Sequence, residues 1–75
     1  MLSEQEALVP MVLGEVRDIL VTDLGALDDL RATGGEIVLT FEGQTVKADI
    51  PHIHNVFDAA RSLTVELVSR LNLAI

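Results

Sequence analysis

Apolar residues Val9, Val12, Leu13, Val16, Ile19, Leu20, Leu24, Leu27 and Leu30 recur every three or four positions, the spacing that lines one face of an α-helix. Glu4, Glu15, Asp18 and Asp29 project from the other side. Ser3 followed by Glu6 has the spacing of a capping box, so the helix is expected to open near Glu4. Pro10 falls inside it, removes one backbone hydrogen bond and tends to bend the axis. The pattern predicts one helix over about residues 4–32, bent or broken near Pro10 or Thr22. Asp23 lies within the apolar stripe and admits three readings. It is the N-cap of a second short helix over Leu24 to Arg31, a buried carboxylate setting register against Arg70 or Arg61, or a solvated residue at the stripe's edge.

Thr33-Gly34-Gly35 reads as a helix stop, because glycine reaches the left-handed conformation that a C-terminal cap needs. A β-hairpin follows over about residues 36–49. With the turn centred on Glu42-Gly43, Phe41 pairs with Gln44, Leu39 with Val46 and Ile37 with Ala48. One face is then Ile37, Leu39, Phe41, Val46 and Ala48. The other, with Glu36, Val38, Thr40, Thr45, Lys47 and Asp49, reads as solvated.

The last helix is expected over about residues 51–72, with Asp49 as cap and Pro51 in the first turn. Its stripe is Ile53, Val56, Phe57, Ala60, Leu63, Leu67 and Leu71, and the apolar Leu73-Ala74-Ile75 reads as a docked end. The expected fold is α+β, a single domain over residues 1–75 in the order helix, β-hairpin, helix (αββα), with both helices on a two-stranded antiparallel sheet. Phe41, Leu39, Phe57, Leu63 and Leu67 are the expected core.

Lengths make that arrangement uneven. A helix of about 29 residues spans about 43 Å, whereas strands of about six residues span about 20 Å. A stripe that its own chain leaves uncovered is an association surface. The expected partner interface is Val9, Val12, Val16, Ile19, Leu20, Asp23 and Leu27, binding a second copy as a dimer or higher oligomer, or another protein.

Composition narrows the chemistry. The chain has 75 residues, no cysteine, twelve acidic side chains against five basic ones, and a formal charge of −7. A domain that small buries only about 60% of its unfolded surface, and without disulfides oligomerisation is the remaining source of extra stability. The charge opposes binding to nucleic acid or to an anionic membrane. An acidic opening segment and the lack of a long apolar run point to a cytoplasmic protein.

Catalytic and binding motifs are missing. His52 and His54 diverge if Pro51 opens a helix, so no metal site is expected. Asp28 and Asp29 point about 100° apart on a helix and do not form a shared-proton dyad. No G-x-S-x-G turn, phosphate loop or G-x-G-x-x-G is present. The chain is therefore read as non-enzymatic and free of cofactors. Its acidic ridge, Glu4, Glu15, Asp18 and Asp29, supports a second reading as an inhibitor or nucleic-acid mimic that presents carboxylates to a basic protein surface.

The run Leu30-Arg31-Ala32-Thr33-Gly34-Gly35, followed by an alternating hairpin with a glycine turn, resembles in layout the small head-to-tail joining proteins of lambdoid phages over about residues 15–72. No diagnostic residue is shared, so the resemblance implies topology alone. The expected function is a small non-catalytic interaction module, an adaptor or assembly subunit of a bacterial or phage system.

Overall fold

A computed structural model describes residues 4–71. Its elements in chain order are α1 (Glu4–Leu24), β1 (Asp29–Thr33), β2 (Glu36–Phe41), β3 (Gln44–Asp49) and α2 (Val56–Arg70). The class is α+β, but the sheet has three antiparallel strands in the order β1-β2-β3 rather than two. The expected cap at Ser3 and the docking of Leu73-Ala74-Ile75 lie outside the described residues.

The long helix is the main correction. α1 has 21 residues and ends at Leu24, because Gly25 adopts φ +82° and its N–H donates to the Val21 carbonyl at 2.9 Å. That is a left-handed glycine cap. Leu27 and Leu30 continue the helical spacing only by coincidence. Leu27 packs from the connecting loop, and Leu30 sits in β1 opposite Leu39. The short-helix and buried-carboxylate readings of Asp23 fail with it: Asp23 is an exposed residue in the last turn of α1.

Gly34 and Gly35 terminate no helix. They form the two-residue turn between β1 and β2, with φ of +58° and +83°. The second turn, Glu42-Gly43, has φ of +50° and +81°. Two consecutive left-handed residues match the right-handed twist of the strands they join. Across that second turn the register is the expected one, Phe41 with Gln44, Leu39 with Val46 and Ile37 with Ala48. Glu42 carries a side chain in a conformation that costs an ordinary L-residue about 1–2 kcal/mol and asparagine less. Glu42→Asn is therefore expected to stabilise the fold by about 0.5–1 kcal/mol, read as a higher urea midpoint at unchanged slope.

Both helices pack on the sheet face that carries Leu30, Ile37, Leu39, Phe41 and Ala48. Val12, Val16 and Leu20 of α1 and Ala60, Leu63 and Leu67 of α2 fill the space between. The opposite sheet face is not wholly solvated. Val38 is buried there, flanked in register by Arg31 and Lys47, whose aliphatic stems can lie over it. The Thr40 and Thr45 hydroxyls meet at 3.2 Å on the same face.

α2 starts five residues later than Pro51. Asn55 is its cap, with Oδ1 accepting from the N–H groups of Phe57 at 2.9 Å and Asp58 at 3.2 Å, so Asp49 has no capping role. Residues 50–55 instead form an extended connection held at two points. The Ile50 N–H donates to the Gly35 carbonyl at 3.1 Å. The Gln5 side chain clasps the Ile53 backbone twice, donating to its carbonyl at 2.9 Å and accepting from its N–H at 2.7 Å.

The two sheet edges are each met by an arginine from the helical layer. Thr33 and Glu36 close a two-residue turn and so exchange hydrogen bonds, and the antiparallel alternation then turns the Leu30 carbonyl away from β2. Arg17 of α1 donates to that carbonyl at 3.3 Å. By the same alternation Lys47 points its carbonyl away from β2, and Arg70 of α2 donates to it while pairing with Glu66 at 2.9 Å. Occupied edge carbonyls oppose strand addition there.

Candidate functional site

The interface expected from sequence is largely inside the molecule. Val12, Val16 and Leu20 are core residues, and Val9, Ile19 and Leu27 are half-buried against that core. Asp23 is exposed in the last turn of α1. The structure thus encloses the stripe, because α1 is shorter than its pattern predicts and both the sheet and α2 pack on it.

The exposed apolar surface lies elsewhere, on the solvent side of the helical layer. Met11, Phe57 and Val65 are 57%, 63% and 65% exposed. Each follows from helix geometry. With Val12, Val16 and Leu20 turned inward, the opposite face of α1 carries Ala7, Met11, Gly14, Asp18 and Val21, spaced alternately by three and four. All five are exposed. On α2, Val56 takes the inward position after the cap and turns Phe57 outward by about 100°, with Arg61 and Val65 one and two turns on. Phe57 is therefore not a core residue, contrary to expectation. Met11, Glu15, Asn55, Val56 and Phe57 line an open hollow of about 470 Å³ between the two helices.

Sequence reasoning passed over Met11 and Val21, although the signal was present. Both are apolar residues lying off the stripe. Gly14 is a second such signal. A Cβ added there would meet nothing within 4 Å, so nothing in the described chain requires glycine, and glycine inside a helix costs about 0.5–1 kcal/mol relative to alanine.

Charge is distributed unevenly around this face. Arg17 and Arg70 are drawn to the sheet edges, and Arg31 lies on the far side of the sheet, paired with Asp29 at 3.5 Å. Asp18 lies within the face and Glu15 at its border, with Arg61 exposed on the α2 side. Asp29 does not extend the acidic ridge expected with Glu4, Glu15 and Asp18, since it belongs to β1 and faces away from the helices.

His52 and His54 lie in the extended connection rather than in a helix, and their rings meet edge to face with centroids 4.4 Å apart. The divergence expected of them does not occur. Among the described residues no group of three or more His, Cys, Asp or Glu side chains is placed to hold a metal ion, and no helix is long and apolar enough to cross a membrane. No protein family, curated protein or solved structure matches the chain. The likeness in layout to phage joining proteins therefore has no support from these comparisons, and the third strand departs from it.

Proposed function

We propose that this chain is a small, non-catalytic protein–protein interaction module that binds through the solvent side of its helical layer. The observation that carries this reading is the composition of the outward face of α1. A helix side facing water is normally charged, whereas Ala7, Pro10, Met11, Gly14 and Val21 are exposed here with Asp18 between them, and Met11 meets Phe57 of α2 at the hollow. Exposed apolar residues that adjoin in this way mark contact surfaces in soluble proteins. Val12, Val16 and Leu20 are buried in the core, so the proposed surface consists of other residues than the stripe.

A photo-crosslinking amino acid placed at Phe57 in the cells that make the protein tests this. Irradiation is expected to give one discrete adduct from Phe57 and none from Thr45 on the sheet's outer side. Equal labelling from both positions, or none from Phe57, overturns the assignment. The adduct's mass also separates a second copy, at twice 8.1 kDa, from a different protein.

A further inference from the structure

We infer that the occupant of this face is a basic amphipathic helix of another protein, laid along α1 with an apolar side chain in the hollow between Met11 and Phe57. The inference rests on the interaction-module reading above and adds the chemistry of the partner.

Three observations lead to it. First, Ala7, Gly14 and Val21 recur every seven residues, and Met11 and Asp18 follow Ala7 and Gly14 by four. These positions form one straight seam along α1, and apart from Asp18 they are apolar or small, which suits the approach of a second helix. Second, the seam is narrow at its middle. Gly14 has open space where a Cβ would stand, which lets another backbone approach closely there. Among the described residues nothing near Gly14 offsets its helix-weakening effect, which is consistent with a close approach from outside.

Third, the sign of the charge selects the partner. Asp18 lies in the seam and Glu15 beside it, against Arg61 on the α2 side, on a chain of net charge −7 whose Arg17, Arg31 and Arg70 are engaged at the sheet. A two-fold interface uses the same patch on both subunits. A second copy would therefore bring the same carboxylates to the same face, and another seven negative charges with them. Lysine or arginine on the flanks of an incoming helix would instead meet Glu15 and Asp18 with complementary sign, as when an amphipathic helix lays its apolar face into a groove.

The test titrates the full chain with a synthetic leucine–lysine amphipathic helix of three heptads at physiological salt, followed by calorimetry. One-to-one binding is expected. Gly14→Leu should weaken it at least about tenfold by filling the seam while raising thermal stability, because leucine is the better helix former. That opposite movement separates a blocked surface from a damaged fold. The pair Glu15→Lys and Asp18→Lys should also weaken binding at least about tenfold. Glu36→Lys with Asp49→Lys, the same change of charge on the sheet's outer side, should stay within about threefold because solvent screens distant charges.

Equal loss from the sheet-side pair, or undiminished binding by Gly14→Leu, overturns the proposal. So does a dimer of the chain alone that Gly14→Leu converts to monomer, since the occupant is then a second copy. If the peptide fails to bind while Phe57 still crosslinks, the basic occupant is wrong and the interaction face stands. If neither occurs, both readings fall.

Discussion

Val16→Glu is expected to unfold the chain. Val16 has no exposed surface and lies between Val12 and Leu20 in the core, where a carboxylate finds neither water nor a cation. An unpaired charge at a buried site costs about 3–5 kcal/mol. A stability of about 0.05–0.15 kcal/mol per residue gives a domain of this length only about 4–11 kcal/mol in total. Far-ultraviolet circular dichroism should show loss of most secondary structure, or a urea midpoint far below that of the parent. The contrast with the sequence-based interface is direct. If Val16 faced a partner, the same substitution would dissociate an assembly and leave the helix intact. A folded Val16→Glu chain with an unchanged midpoint would place this residue outside the core.

Leu39→Ala should cost about 2–5 kcal/mol, the range for emptying a fully buried leucine site. Leu39 is fully enclosed in the central strand, with Leu30 on one side and Val46 on the other, so two neighbouring strands would have to move to close the cavity. Phe57→Ser is the matched comparison. It removes a larger side chain from a position 63% exposed, and surface changes of that kind stay within about 0.5 kcal/mol. Chemical denaturation of the two variants should therefore rank them opposite to the volume deleted. A Phe57→Ser chain as unstable as Leu39→Ala would mean that Phe57 supports the fold rather than a contact surface.

The parts of this fold that could be read from sequence are those with a strict local period. The second hairpin alternates cleanly from Glu36 to Asp49, and its register follows residue by residue. Strand β1 was hidden because five residues give only two inward positions, Leu30 and Ala32, and Leu30 happens to fall three residues after Leu27 on the helical count. Gly25 and the Gly34-Gly35 pair decide the matter. The first is a cap that periodicity alone reads through, and the second is a hairpin turn that also suits a helix stop. At the second helix, Pro51 fitted a first turn, but the long-range bonds between Gln5 and Ile53 hold that stretch extended. A partner 48 positions away leaves no local trace. The candidate site is hard to read from sequence for a related reason: the strongest periodic signal is the apolar stripe, which the fold buries, whereas the residues left outside are the apolar ones that break the pattern.

The meander of the sheet has a consequence in time. Every strand pairs only with its neighbour in the chain, across turns of two residues, so little loop entropy opposes closure and these pairings can form early. The clasp between Gln5 and Ile53 joins distant positions and must wait for the connection after β3 to be in place. Docking of the opening helix is therefore expected to follow formation of the two hairpins. Newly made chains would show their aliphatic stripe until that step is complete, which is the interval in which chaperones or misassembly would compete for them.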